Sequence, residues 1–439
     1  MKAQIITGDC ADVMKGMAEN SVDAIVTDPP AGIFFMQSNW DHDKGGRDHW
    51  IAWMQTVAAE AIKVLKPGGH ALVWSLPRTS HWTATAWENA GFEIRDCISH
   101  VFSSGMPKSR DIGKAIDSEA GHERGMSLDI RNGANTNHAT KGVAQIVGGS
   151  SGTKAIDEGP ITEAAKHWDG FGSGLKPSVE SWWLLRKPLS KGLTIAANVL
   201  QYGTGGLNIG ACRIPMDTQD HADYLTKRQS FGNTKTNSGS TVTFNTSPVL
   251  TPEELTKNAT LGRWPANICT DGSEQVLVAF PSTHGAGAAT NGKHCAGKNE
   301  GHRNDPSGFQ YGGAAHRFGD SGSAARFFAQ FPPDDLNGES RIFYTAKASQ
   351  ADRNSGLQGE RNPHNTVKPQ SLCRYLCRLI TPPGGTVLDM FAGSGSTGKA
   401  AMMEGFDFIG IEQDAAMAKI ARHRTTGAAP LFVEMTEAA

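Results

Sequence analysis

The sequence predicts an α/β fold built on a mostly parallel sheet with one antiparallel strand. Short apolar runs alternate with helix-length amphipathic stretches over residues 1–110. The same alternation resumes near residue 366. Between Val387 and Asp414, a strand, a glycine-paced turn, a helix and a second strand ending on an acid follow one another, as in nucleotide-binding units.

Taken in order, residues 4–7 and 24–27 read as strands and 50–65 as an amphipathic helix, which Lys66-Pro67-Gly68-Gly69 stops. Residues 71–74 form the next strand, 80–90 a helix and 93–102 a long strand. The apolar run at 179–185, VESWWLL, is read as the antiparallel partner of 93–102. Residues 370–380 form a helix that Pro382-Pro383-Gly384-Gly385 breaks. The glycine turn is then framed by a strand at 387–390, a helix at 397–404 and a strand at 408–411.

This divides the chain into a first half of the sheet domain (1–110), a loop-rich insertion (111–175), a strand returning to the core (176–200), a variable region (201–340) and a second half (341–439). Glycine numbers 51 in 439 residues, well above the usual ~7%, and the excess lies in the middle regions. Islands at 207–214, 262–269 and 340–348 carry Trp, Phe and Tyr, which favours an extended functional surface over disorder.

A formal net charge of −2 excludes a uniformly basic nucleic-acid binder, so any such contact relies on local patches. Candidates are Lys108, Arg110 and Lys114; Arg186, Lys187 and Lys191; and Lys368 with Arg374 and Arg378. No apolar run reaches the ~18 residues of a membrane span, and the start lacks signal-peptide features, so a cytoplasmic protein is expected. The 7 scattered cysteines argue against a disulfide framework. Cys373 and Cys377, and separately His284, His294, Cys295 and His302, hint at metal ligands, but neither group has a complete set and no metal is expected.

Gly393 and Gly395 let backbone approach a ligand closely, and Glu412 lies about as far beyond the turn as the carboxylate that meets ribose hydroxyls in such sheets, ~20 residues. The turn is not G-x-G-x-x-G. The stretch Asp389-Met390-Phe391-Ala392-Gly393-Ser394-Gly395-Ser396-Thr397 instead resembles the S-adenosylmethionine pocket of amino-methylating DNA methyltransferases. Asp28-Pro29-Pro30, at the end of an apolar strand, resembles their D-P-P-Y catalytic motif, with Gly8-Asp9-Cys10 before it. Residues 365–369 resemble their N-x-x-H-P-T-x-K-P element. With the donor half last and the catalytic half first, the order resembles that of the β class, and the phrases SGMPKSRDIGKAID, LKPSVESWWLLRKPL and GGLNIGACRI resemble long members of phage and prophage type.

The resemblance implies a Rossmann-like methyltransferase sheet with a loop-rich inserted recognition region, an adenine-N6 methyltransferase, S-adenosylmethionine as cofactor and DNA as partner. The target base would be flipped from a duplex or taken from a single strand. It leaves room for a homodimer and for a restriction-modification setting. Asp28, Pro29 and Pro30 would be catalytic, with Asp28 and the Pro29 carbonyl accepting the amino hydrogens. Asp9 and Cys10 would lie near the adenine ring, Glu412 on the ribose, and Phe391, Gly393, Gly395 and Ser396 along the methionine, with Asp389 also among the donor-binding residues. Thr366 and Lys368 would meet the donor's carboxylate.

Two positions depart from the family pattern. Ala31 replaces the stacking aromatic, leaving Phe34, Phe35 or Trp40 as substitutes, and Asn365 replaces a proline. An N4-cytosine enzyme, an RNA or protein N-methyltransferase, and a DNA-binding protein with a decayed pocket are the competing readings.

Overall fold

In the computed structural model, strand and helix alternate through β1 (Lys2–Thr7), α1 (Cys10–Lys15), β2 (Val22–Thr27), α2 (Arg47–Val64), β3 (Leu65–Ser75), α3 (Ser80–Asn89) and β4 (Glu93–Val101). There follow α4 (Ile112–Glu119), the antiparallel pair β5 (Met126–Ile130) and β6 (Thr153–Asp157), α5 (Glu163–His167), β7 (Val179–Arg186) and α6 (Ile195–Tyr202). Short elements come next: β8 (Ile268–Thr270), α7 (Glu274–Leu277), β9 (Ser282–Thr283), β10 (Gly322–Ser323) and β11 (Ala329–Gln330). The chain closes with α8 (Gln370–Ile380), β12 (Thr386–Asp389), α9 (Ser396–Met403), β13 (Asp407–Glu412), α10 (Ala415–Thr426) and β14 (Glu434–Met435). The structure describes residues 1–35, 39–103, 109–124, 126–130, 153–157, 159–216, 261–280, 282–283, 322–331, 353–354, 356–357, 361–364, 366–428 and 434–435.

Ten strands form the main sheet in the order β11-β8-β4-β7-β3-β2-β12-β13-β1-β14. Every neighbouring pair is parallel except those made by β7, which runs antiparallel to both β3 and β4. The predicted antiparallel strand is therefore present, and it is inserted between two parallel ones. β2 and β12 pair through Ala24 and Val387, joining the two ends of the chain at the centre of the sheet.

Helices cover both faces, as a sheet with a parallel core requires. All six residues of β2 are buried, and its one acid, Asp23, is satisfied by Lys66 at 2.5 Å and by the Thr386 amide at 2.9 Å. One face packs under α8, α9 and α10 through residues such as Leu372, Leu376, Met402 and Ala421. The other packs under α1, α2 and α3 through Met14, Trp50, Met54 and Trp87. α2 ends at Val64, as the Lys-Pro-Gly-Gly signal predicts. That signal does not open a loop, however, because β3 starts at Leu65 and the register shift between Val22 and Ala24 accommodates it.

Among the described residues, the middle of the chain carries elements that its composition does not announce. Within 111–175, α4 and α5 are capped by Asp111 and Thr162 and joined by Asp117. The fully buried Asp117 carboxylate accepts from the Ile161 and Thr162 amides, the Thr162 hydroxyl and the Arg124 guanidinium, which hold its pKa far below the usual range against the cost of burial. Within 201–340, β8 and β11 extend the main sheet beyond β4. The 340–348 island, Lys108, Asn365, and the His284, His294, Cys295 and His302 group lie outside the described residues. Cys373 and Cys377 are buried in the core.

Several proposed basic contacts are engaged internally. Arg186 pairs with Glu93 at 2.6 Å, and Arg374 and Arg378 both hold Glu404. The Lys187 ammonium donates to the Leu65 carbonyl and the Asn20 side chain. Among the described residues no helix is long and apolar enough to cross a membrane.

Candidate active site

The parallel strands β1, β2, β3, β12 and β13 all end on one edge of the sheet, and the site is built there. After β12 the chain turns through Gly393 (φ +51°) and Gly395 (φ +83°), left-handed conformations that only glycine adopts without strain. A Cβ on Gly395 would lie 2.9 Å from the Ala421 Cα, so α10 packs directly on the turn. Below it, the buried Asp389 accepts from the Thr27 hydroxyl at 2.7 Å and from the Phe391 amide at 3.1 Å. Burial pushes the Asp389 carboxyl up to about 6, even with these donors around it.

Glu412 is held at both oxygens. Oε2 accepts from the Gly393 amide at 2.7 Å, and Oε1 accepts from the Asp414 amide at 2.9 Å. Burial raises its pKa, which those amides partly oppose. Its backbone carbonyl also accepts the Gly8 amide, so the Asp9 turn lies beside it. Asp9 caps α1 by accepting from the Ala11 and Asp12 amides. Cys10 follows within that helix, and burial pushes its thiol up to about 12.

On the other side of β12, Asp28 and Pro29-Pro30 follow β2. The Lys368 ammonium lies 2.5 Å from Asp28 Oδ2 and 4.1 Å from the centroid of the Trp74 ring. Trp74 donates its indole N–H to the buried Glu180 at 3.1 Å. Burial works against the Lys368 charge, but Asp28 and then Glu180 outweigh it, and its pKa lies above the usual value. Ala31 is buried, and the loop beyond it is shaped by Asp41, whose carboxylate accepts the Gly32 amide at 2.8 Å and the Phe35 amide at 2.9 Å.

Both sides open into one cavity of about 820 Å³. Its walls include Asp9, Cys10, Phe391, Gly393, Ser396 and Glu412 on one side and Asp28, Pro29, Pro30 and Lys368 on the other. Thr366 and Asp389 also line it. Phe35 and Trp40 reach the lining, whereas Phe34 packs edge-on against His42 and Gly395 stays behind the turn. Lys368, expected on the donor's carboxylate, is seen against Asp28 instead.

Several residues at the cavity wall or behind it were not anticipated. His364 packs on Gly393, its Nε2 lying 2.9 Å from where a Cβ would stand, and burial lowers its pKa to about 4. It stands immediately before Asn365, where the quoted motif has a histidine, so the signal was present. Glu180 is the lone acid of an apolar strand, a second readable signal. Nothing local marks Arg424, which is buried and donates to the Ser394 carbonyl at 2.7 Å and to its hydroxyl at 3.0 Å. Asn362 reaches the same hydroxyl at 3.0 Å and accepts the His364 amide, which ties the turn to the 361–368 segment.

Parts of this chain are similar to known methyltransferases. Type II methyltransferase M.BamHI of Bacillus amyloliquefaciens is 27% identical over 107 residues, 24% of this chain and 24% of that protein. DNA adenine methyltransferase YhdJ of Escherichia coli K12 is 40% identical over 68 residues, 16% of this chain and 23% of that protein. The chain thus spans about a quarter of the length of these relatives. The solved structure of TTHA0409 from Thermus thermophilus aligns over 99% of this chain and 98% of that one, at 13% identity. Its TM-score is 0.40, at which the likeness carries no weight. Residues 22–124 and 314–423 match the family model for DNA methylases of N6/N4 type. These two blocks hold the Asp28 turn and the Gly393 turn, and it is over them that the chain is similar to the N6/N4 DNA methylase family.

Proposed function

We propose that the protein methylates the exocyclic N6 amino group of adenine in DNA, with S-adenosylmethionine as methyl donor. The observation that carries this reading is that Asp28-Pro29-Pro30 and the Gly393–Glu412 unit open into one cavity. The cavity suits the donor. The Gly393 and Asp414 amides bond to Glu412 and the Gln413 amide also acts on it, but a carboxylate has ~4 acceptor positions, so capacity remains for a ribose hydroxyl. Met390, Phe391 and Ile411 offer an apolar wall to an adenine ring, and about 820 Å³ is ample for a nucleoside with a methionine tail.

When bound, S-adenosylmethionine supplies an electrophilic methyl group on a sulfonium sulfur. The chain's own residues prepare the acceptor. An amino nitrogen conjugated to a purine is a weak nucleophile, because its lone pair is delocalised into the ring. Asp28 accepts one N–H and the Pro29 carbonyl the other, which favours a pyramidal nitrogen and directs its lone pair at the methyl. Proline at 29 and 30 stiffens this turn without adding backbone donors. On methyl transfer, Asp28 would take up the proton that the amino nitrogen gives up. Such chemistry needs an unstacked base, so the target leaves the duplex or is single-stranded. Phe35 and Trp40, at the cavity wall, are the stacking residues in place of Ala31.

DNA as substrate rests on the family match, and adenine rests on the leading Asp28 together with the adenine-methylating relative. The test is nucleoside mass spectrometry of unmethylated DNA after incubation with isotopically labelled S-adenosylmethionine. Labelled N6-methyladenine is expected. Labelled N4-methylcytosine would keep the mechanism and overturn the base. No labelled nucleoside, with donor binding demonstrated, would move RNA or protein substrates to the front.

A further inference from the structure

We infer that Lys368 belongs to the methyl-accepting side of the cavity: it is the positioning residue that orients Asp28 and keeps it ionised, and it does not bind the donor's carboxylate. The inference rests on the function proposed above and assigns a role within that site.

Three observations support it. First, the Lys368 side chain is only 5% exposed, and its ammonium is 2.5 Å from Asp28 Oδ2. Lys368 is buried and Asp28 partly so, and a charge-assisted contact at this distance restrains the Asp28 carboxylate. Second, the ammonium sits 4.1 Å from the Trp74 ring centroid, a contact that holds a cation over an aromatic face. Trp74 is itself fixed by its N–H bond to Glu180 at 3.1 Å. Third, Glu180 is the second residue of β7, whose reversed direction brings that end of the strand to the same edge as Asp28. Asp28, Lys368, Trp74 and Glu180 thus form one chain of contacts between the Asp28 turn and the antiparallel strand.

The charge balance gives Lys368 a chemical task. The groups around Asp28 and Lys368 are Glu180 on β7, Asp389 on β12, Cys373 on α8 and the neutral His364. Removing the ammonium would leave Asp28 near Glu180 and Asp389, and neighbouring like charges favour the protonated form of a carboxyl. A protonated Asp28 would present a donor where the target amine needs an acceptor.

The test measures Lys368→Met against the parent. Binding is followed by calorimetry with S-adenosylhomocysteine, which carries the carboxylate, and with 5′-methylthioadenosine, which lacks it. Both affinities are expected to stay within ~3-fold of the parent, with their ratio unchanged. Single-turnover methylation of DNA at saturating donor should fall by ~100-fold or more. The acid limb of its pH–rate profile should move up by ~1 unit or more. The inference is overturned if S-adenosylhomocysteine binding falls ~10-fold toward that of methylthioadenosine while the saturated rate is kept.

Lys368→Arg carries the test if the methionine variant does not fold. It is expected to keep donor binding and lose ~10-fold in rate, since a planar fork cannot hold both Asp28 and the Trp74 face. A parent-like rate with weakened S-adenosylhomocysteine binding would sink the idea. If the parent itself transfers no methyl group to DNA, the proposed function fails, while the ratio of the two ligand affinities still decides which side Lys368 serves.

Discussion

On the proposed donor side of the cavity, Gly393, Glu412 and Asp414 lie within one continuous strand–turn–helix–strand unit, while on the proposed acceptor side Asp28, Trp74, Glu180 and Lys368 come from four distant segments. The donor side is held by backbone amides: Gly393 and Asp414 donate to Glu412, and Phe391 donates to Asp389. On the acceptor side the contacts described run between side chains, through the Lys368 ion pair, the Trp74 face and the Glu180 bond. Backbone-built sites tolerate changes of neighbouring side chains, whereas a side-chain relay fails when one member is removed. The two sides should therefore respond differently to substitution.

The largest effect expected is that of Asp28→Ala. Transfer should fall by ~10³-fold, as for a group that accepts a proton in the reaction, with donor affinity within ~3-fold of the parent. Single-turnover kinetics and calorimetry measure the two, and a lost donor affinity would erase the division between the sides. Glu412→Ala should do the reverse, weakening the donor by ~10–100-fold through loss of charge-assisted hydrogen bonds. An effect on the saturated rate alone would show that Glu412 does not meet the ribose.

Gly395→Ala tests the backbone character of the donor side. It forces a Cβ against Ala421 at a left-handed φ, and a loss of ~1–3 kcal/mol should appear in denaturant unfolding. An unchanged midpoint would mean that the turn can shift off α10. Acid tests the same side in another way. Burial depresses both His364 and His70 to about 4, so their neutral forms stabilise the fold above the usual 6.5. That contribution is lost as pH falls from 6.5 towards 4, and each histidine should cost ~2 kcal/mol of stability at pH 5. Asp389, raised to about 6, acts in the opposite sense, gaining stability as pH falls through 6. His364→Gln should therefore flatten the decline seen in unfolding midpoints between pH 7 and 5.

The smallest effect concerns base stacking. Trp40→Ala and Phe35→Ala should each raise the KM for DNA by the equivalent of ~1 kcal/mol, and Phe34→Ala by less, because Phe34 faces His42. Equal effects at all three positions would place the base elsewhere in the cavity.

How much of this was legible in the sequence follows from the same contrast. The donor turn was readable because its parts are local: two glycines, a carboxylate at fixed spacing, and a helix start. Asp28-Pro29-Pro30 was readable because proline limits the backbone whatever surrounds it. Lys368 was found as a residue, but its contact with Asp28 was not read, because spacing along a chain does not say which side chain a lysine will meet. The helices α4 and α5 went unread because each is too short to show a period, and Asp117, which joins them, looks like any surface acid.

By itself, the sequence determined the alternation of strands and helices, the reversed β7, the donor turn and the Asp28 turn, since each is encoded by residues close together in the chain. Only the tertiary structure decided that β2 and β12 lie side by side, that β7 enters between β3 and β4, and that Lys368 meets Asp28 across the resulting edge. The physical reason is that pairing between distant strands depends on the summed burial of both sheet faces, and the position of a long flexible side chain depends on the charges that this pairing brings together.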